Sequence, residues 1–360
     1  MSRPFHGGNL TEAATKYEVD KDRIVDFSAN INPLGLSGRV REALLSSIDA
    51  ALHYPEPYCE GLKEEVAAYL GVDDNNIIIG NGSCDLIYMI PRVLTPHGVL
   101  IPVPTFSEYE YAVKINKARC RFLLLEETNG FSLKPESILD DLEDVDMTFI
   151  CNPHNPTGTV MMKEDLLFVV SQCEKRGVKV VVDEAFIDFV EDHDSLTLVR
   201  EAVLRENLLV LRSLTKFFGV PGLRVGYLVG GKLLVEKISA MQPPWMVNVM
   251  GRIAAKEALD DQVYIEETRR YVVQERDYLF SELKRMKGIE PYPSGANFIF
   301  CRLEADGLNS TQLAEKLGGK GILVRDCATF RGLDSRFIRV AVRRREENIR
   351  LVSALLSENL

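Results

Sequence analysis

The tract RSLTKFFGVPGLRVGYL, residues 212–228, holds one lysine among aromatic and aliphatic neighbours. On apolar ground an amine is less costly neutral than charged, and a neutral amine is a nucleophile able to form a Schiff base with a carbonyl. Ser213 and Arg224 flank Lys216 with a hydroxyl and a planar cation suited to phosphate, while Pro221 and Gly222 stop any helix between lysine and arginine. Taken alone, a core-edge lysine paired with a carboxylate is the commoner arrangement.

Four further tracts carry groups of comparable chemistry. GNGSCDLIYMI contains Gly80 and Gly82, which permit a tight turn, and Ser83 and Cys84, which open a helix whose free N–H groups can hold a phosphate. Asp85 stands where a dinucleotide-binding fingerprint has its third glycine, so alone the tract reads as strand, turn and serine-capped helix. PVPTFSEYEY offers Tyr109, by itself an ordinary core aromatic. CNPHNPTG, with two Asn-Pro pairs, builds a rigid loop that fixes the Asn155 amide at a strand end. In VVVDEAFIDF, Asp183 directly follows apolar strand residues; it is either a helix cap or a buried carboxylate that needs a cationic partner.

Stepping outward to the elements, apolar runs recur at NIIIG, GVLIPVP, RCRFLLLEE, MTFICNP, VKVVVDEAF, LLVLRSLTK and LRVGYLVGG. Most are separated by helix-length segments such as GLKEEVAAYLG and KEDLLFVVSQCEKRG, apolar at every third or fourth position. Runs apolar on both faces and joined by helices predict an α/β fold with a seven-stranded, mostly parallel sheet covered on both sides. LRVGYLVGG follows its predecessor too closely for a helical crossover, which allows it to run antiparallel. Ligands in such sheets bind beyond the carboxyl ends of the strands, where all five tracts fall.

From about Pro244 to Met286 the period is helical. GANFIFCRLE, STQLAEKLGG, GILVRDCATF, RFIRVAVR and EENIRLVSALLSEN then predict strand, helix, two strands and a final helix, a smaller α+β C-terminal domain. The expected division is an N-terminal segment, 1–34, lying on the small domain, a large ligand-binding domain, 35–247, and the small domain, 248–360, with the boundary inside the long helix. In RFIRVAVR, strand alternation puts Ile338, Val340 and Val342 on one face and Arg339 and Arg343 on the other. RRREE, from Arg343 to Glu347, reads as a charged helix start.

Composition narrows the partners. A chain of 360 residues exceeds what one hydrophobic core serves, and its 43 basic against 53 acidic side chains give a net charge of −10. Neither a nucleic acid nor an anionic membrane is an expected partner, and an anionic substrate must be met by local cations. Seven cysteines without a CxxC pair indicate reduced thiols in a cytoplasmic protein. MSRPFHGGNL has no apolar core, and no run approaches the roughly 20 apolar residues that span a bilayer, so neither secretion nor insertion is expected. His6, His53, His97, His154 and His193 are too dispersed for metal-ligand spacing, and no metal is expected.

A phosphate cup, an aromatic plate, an amide, an aspartate and a lysine beside serine and arginine together describe one ligand, pyridoxal 5′-phosphate. Its aldehyde needs a lysine, its pyridinium nitrogen a carboxylate, and its phosphate hydroxyls, amides and an arginine. NPHNPTG, DEAFIDF and SLTKFFGVPGLRVGY also resemble the pyridoxal-phosphate enzymes of the aspartate-aminotransferase fold, fold type I, and the resemblance covers nearly the whole chain. The branch is the one that holds histidinol-phosphate aminotransferases and threonine-phosphate decarboxylases; HGGN (6–9), DFSANINPLG (26–35) and LDSRFIRVAVR (333–343) are similar to the decarboxylases.

This resemblance implies Lys216 as the Schiff-base lysine, Asp183 as the pyridinium partner, Asn155 at the ring hydroxyl and Tyr109 stacked on the ring. It implies Gly82, Ser83, Cys84, Ser213 and Arg224 around the cofactor phosphate, with Tyr54 of a YP motif reaching the neighbouring subunit's cofactor in a homodimer. For the substrate it implies Arg339 at the α-carboxylate, with Asn155 nearby, and His6, Asn30 and Arg325 around a phosphate. Phe186 stands where aminotransferase relatives usually have the tyrosine of DEAY. The implied activity is decarboxylation of L-threonine O-3-phosphate to (R)-1-amino-2-propanol O-2-phosphate in cobalamin biosynthesis; the alternative is an aminotransferase for histidinol phosphate or a related amino phosphate. A non-catalytic regulatory dimer would carry a DNA-binding module, for which this chain has no spare basic segment.

Overall fold

In the computed structural model, which describes residues 6–304 and 307–358, seven strands form one sheet. They are β1 (Ile77–Gly80), β2 (Gly98–Val103), β3 (Arg119–Leu124), β4 (Met147–Cys151), β5 (Lys179–Asp183), β6 (Leu208–Ser213) and β7 (Gly226–Gly230). Their spatial order is β1-β7-β6-β5-β4-β2-β3. β7 runs antiparallel to both neighbours and the other pairs are parallel, as its short connection to β6 requires. Residues 1–5, which open the expected N-terminal segment, and residues 305–306 and 359–360 of the expected C-terminal domain lie outside the described residues.

Strand alternation feeds a core on each face. Ile77, Ile79, Val180, Val182, Leu208 and Val210 enter one, packed with the helix Lys163–Lys175. Ile78, Val181, Leu209, Leu211 and Leu228 enter the other, under the helices Ser83–Leu94 and Ser107–Ile115. Each such side chain contributes about 1.5–3 kcal/mol on burial, which makes the sheet a stiff base for its strand ends.

A second, antiparallel sheet holds β8 (Ile289–Pro291), β9 (Phe298–Leu303), β10 (Arg325–Asp326) and β11 (Phe337–Ala341), ordered β10-β11-β9-β8. Ile338 and Val340 face a core shared with Leu279, Leu351 and Phe27, and Arg339 lies on the opposite face. β11 ends at Ala341, so Arg343 is past the strand, paired with Glu347 at 3.0 Å instead of sharing the face of Arg339. The helix Arg345–Leu356 begins there, and the Glu347 carboxylate accepts from the Arg344 N–H at 3.0 Å.

The helical tract differs from expectation. It is two helices, Val249–Asp260 and Gln262–Lys284, and position 248 is a helix cap, not a helix interior. Asn248 accepts from the Gly251 N–H, and Asp261 accepts from the Tyr264 N–H, so each side chain starts a new helix.

The N-terminal residues join both sheets. Val25–Asp26 pairs in parallel with Ile322–Leu323, and the Phe27 carbonyl accepts from the Ala341 N–H at 2.9 Å. A few residues on, Asn32 donates from its side chain to the Phe217 carbonyl at 2.6 Å and from its backbone to the Lys216 carbonyl at 3.1 Å. Residues 27–32 thus run from the second sheet to the turn that carries the lysine.

Candidate active site

Beyond the carboxyl ends of β4, β5 and β6 lies a cavity of about 270 Å³, closed by residues 28–30 and by Arg325 and Arg339 of the second sheet. A larger cleft of about 750 Å³, between Tyr69, Arg212 and Arg269, contains none of the residues singled out in the sequence.

Lys216 occupies the turn after β6, half-buried and facing this cavity. Burial, together with the neighbouring Arg339 and Arg224 guanidiniums and against the pull of Asp183, lowers its amine to about 8. Much of the population is therefore neutral near pH 8, the state that attacks a carbonyl.

Asp183 ends β5, fully enclosed. Its Oδ2 accepts from the Tyr109 hydroxyl at 2.6 Å and its Oδ1 from the Ala185 N–H at 3.0 Å. Burial raises this carboxyl; the two hydrogen bonds and Lys216 oppose the rise. A carboxylate held this way fits a cationic N–H. The Tyr109 ring is buried against Phe149, 4.8 Å between centroids and 4° from parallel.

At the start of the helix Ser83–Leu94 the expected serine cap is absent: the cap is Gly82, at φ 79°, and no side chain bonds the first N–H groups. They are left for an anion. Gly82 sits behind Ser83, and a Cβ there would lie 2.4 Å from Arg224 Nη2, while a Cβ on Gly226 would lie 2.3 Å from the Ser83 nitrogen. Both glycines are needed for the arginine and the β7 backbone to approach the helix end. The Asp85 carboxylate turns away, accepting from the Asn81 N–H at 3.2 Å. Ser213 Oγ and Thr215 Oγ1 lie 2.7 Å apart, and Thr215, which sequence reasoning missed, also lines the cavity. Ser83 and Cys84 line it too, with burial pushing the Cys84 thiol up to about 11.

From the second sheet come Arg325 and Arg339, directly opposite each other on β10 and β11 and both buried. Arg339 donates to the Asn155 side-chain oxygen and to the Ser28 carbonyl at 2.9 Å. Burial lowers it to about 10, with Arg325 adding to the effect. Arg325 donates to Thr329 at 2.9 Å and lies over the Phe330 ring. No carboxylate among the described residues pairs with Arg339, and its Nε and the Asn30 Oδ1 are buried without a partner there. A buried guanidinium with no carboxylate partner among the described residues, as at Arg339, calls for an anion beside it.

His6 Nε2 stands 2.6 Å from Glu108 Oε1, and Glu108, also missed in the sequence, accepts from the Tyr88 hydroxyl as well. Phe186 lines the cavity edge-on to Phe298 at 5.2 Å and offers no hydroxyl. Tyr54 is outside the cavity, 83% exposed, with its ring 5.2 Å from that of Trp245. Among the described residues no cluster of His, Cys, Asp and Glu is placed to hold a metal ion, and no helix is long and apolar enough to cross a membrane.

The cavity residues fit pyridoxal 5′-phosphate on geometry: a depressed lysine amine, a buried carboxylate and an uncapped helix end reached by an arginine converge on one space. Comparison with known proteins agrees. A Caldanaerobacter subterraneus protein that carries the provisional name threonine-phosphate decarboxylase is 38% identical over 357 residues, covering 98% of this chain and 94% of that protein. The threonine-phosphate decarboxylase of Salmonella typhimurium is 35% identical over 354 residues, covering 97% and 95%. Among solved structures, the histidinol-phosphate aminotransferase from Clostridium acetobutylicum superposes with a TM-score of 0.86 at 33% identity, covering 92% of this chain and 98% of that one. The family model for aminotransferase class I and II matches residues 22–355, and with both sheets and every cavity strand inside that span, the chain belongs to this family.

Proposed function

We propose that the protein is a pyridoxal-phosphate-dependent carboxy-lyase that converts L-threonine O-3-phosphate to CO₂ and (R)-1-amino-2-propanol O-2-phosphate, within cobalamin biosynthesis. The observation that carries this reading is the pair Arg325 and Arg339, buried and in register in the second sheet, apart from the Arg224 cluster of the first. Two separate cationic groups suit a cofactor phosphate and, independently, a substrate with two anionic ends. The names of the 38% and 35% identical relatives point the same way.

Pyridoxal 5′-phosphate, when bound, supplies an aldehyde for the amine and a ring that accepts the electron pair left as CO₂ departs. In this reading the helix N–H groups at Ser83 and Cys84, the Ser213 hydroxyl and Arg224 hold its phosphate, and Gly82 leaves room for them. Asp183 accepts the ring N–H, Asn155 faces the ring hydroxyl, and Tyr109 stacks on the ring, its hydroxyl keeping the Asp183 carboxylate oriented. Arg339 grips the substrate carboxylate, its fork fixed by Asn155 and the Ser28 carbonyl. His6, Asn30 and Arg325 take the substrate phosphate. Held at both ends, the substrate would have its Cα bonds fixed in orientation, and the grip of Arg339 on the carboxylate would select the Cα–carboxylate bond for cleavage. With its amine lowered to about 8, Lys216 is partly protonated near pH 8, and that ammonium form would deliver the proton to Cα, leaving the neutral amine. Phe186 leaves the ring oxygen without the tyrosine donor usual in aminotransferase relatives.

The reading includes a cytoplasmic homodimer in which Tyr54 serves the neighbouring cavity, and a chain divided into 1–34, 35–247 and 248–360. The parallel ladder of Val25–Asp26 with Ile322–Leu323 supports the first of these divisions.

Incubating the holoenzyme with L-threonine O-3-phosphate tests the function, with CO₂ and the phosphorylated amino alcohol expected in equal amounts. Pyridoxamine phosphate accumulating without CO₂ would instead assign an aminotransferase.

A further inference from the structure

Glu108 has no part in the chemistry so far, yet it lies in the cavity wall. It sits in the first turn of the helix Ser107–Ile115 and is 6% exposed. Two residues on, Glu110 takes the ordinary course for an acid on that helix and pairs outward with Arg331 and Lys114. Glu108 points inward instead, where an unpaired carboxylate would be costly. Its Oε1 is 2.6 Å from His6 Nε2, and its Oε2 accepts from Tyr88, a residue of the helix that opens at Ser83. Burial pushes this carboxyl up, but the hydrogen bonds from His6 and Tyr88 outweigh it and hold the group below its usual range. His6 therefore faces an ionised acid 102 positions away in sequence, and its Nδ1 has no hydrogen-bond partner among the described residues. The segment behind it is pinned where the Gly8 N–H donates to Ser28 Oγ at 2.9 Å, beside the carbonyl that holds Arg339.

We propose that Glu108 is a positioning residue for the substrate phosphate: its carboxylate holds His6 Nε2 and so fixes the imidazole in the cavity wall, and Tyr88 fixes Glu108. The proposal rests on the phosphorylated substrate proposed above. It makes the segment bearing His6 a specificity element, because a substrate lacking the phosphate gains nothing from an imidazole that Glu108 holds in the cavity wall.

The experiment compares Glu108→Ala, Glu108→Gln, His6→Ala and the Glu108→Ala/His6→Ala double variant as holoenzymes. Calorimetry reads the affinity for O-phospho-L-threonine and for L-threonine, alongside KM and kcat. Glu108→Ala is expected to raise KM and weaken phospho-ligand binding by about tenfold or more, with kcat falling less than about threefold. His6→Ala should match it, and the double variant should be no worse than about twofold beyond either, since one interaction is lost in all three. Glu108→Gln, which keeps a hydrogen bond without the charge, should fall between. Additive losses in the double variant, equal loss for both ligands, or a changed cofactor absorbance in Glu108→Ala would overturn the proposal. Binding needs no turnover, so a wild-type protein that releases no CO₂ sinks the decarboxylase reading, while an uncoupled pair sinks this one.

Discussion

Because Lys216 titrates near 8 in the fold and at 10.5 in an unfolded chain, its protonated form carries a folding penalty that is complete below about pH 8. Between the two values the unfolded chain binds more protons, so stability gained from this group rises with pH across that window. The cofactor-free protein and its Lys216→Met variant should therefore converge in melting temperature as pH climbs from 7 to 10, the variant being the more stable at 7. A constant difference would show an ordinary, solvated amine. Lysine, aspartate and asparagine were legible in the sequence because each breaks an apolar strand end, where a polar group has to have a purpose. Thr215 and Glu108 were not, since a threonine in a turn and an acid among the acids of SEYEY look like surface. Only the packing of Tyr88 and His6 against Glu108 separates it from Glu110.

At the scale of elements, β5 and β6 carry the cavity residues Asp183 and Ser213 next to Glu184 and Arg212, which face the opposite side. Arg212 is 3% exposed and binds Glu184 at 3.1 Å and Asp188 at 2.5 Å, with Thr197 donating its hydroxyl to Glu184. Burial disfavours the guanidinium charge, but Asp188, Tyr227 and Glu184 more than restore it, so it stays ionised. Arg212→Met would strand two buried carboxylates, at an expected loss of about 3–5 kcal/mol in urea unfolding of the holoenzyme. Adding Glu184→Gln and Asp188→Asn should recover part of that loss; no recovery would mean the arginine acts by packing alone. Alternation and helix-length spacing made the seven strands and the antiparallel β7 readable. The break at Asp261 was hidden because its neighbours continue a helical period, and a single cap overrode it. The serine cap failed for the converse reason: Gly82 took the cap position, and its left-handed backbone left the amides open.

Over the whole molecule, Leu45, Ile48, Leu52, Tyr54, Tyr58, Met241 and Trp245 are exposed, and Trp245 donates its N–H to the Pro57 carbonyl at 2.7 Å, bringing the two stretches into one surface. Apolar exposure on this scale marks an interaction face. For the proposed homodimer, Ile48→Asp with Trp245→Asp should shift the sedimenting species to monomer and lower cofactor affinity along with it. Unchanged sedimentation would leave the Tyr54 contribution without a route. None of this was visible from periodicity, because apolar residues left exposed on a surface read in the sequence as buried ones.

The ladder that joins Val25–Asp26 to Ile322–Leu323 also orders events during synthesis. The ribosome releases the seven strands of the large sheet while the segment bearing His6 and Asn30 still lacks the strand that completes its ladder. Its partner strand follows all seven in the chain, so a nascent chain can assemble the lysine's scaffold before it can close the cavity over it.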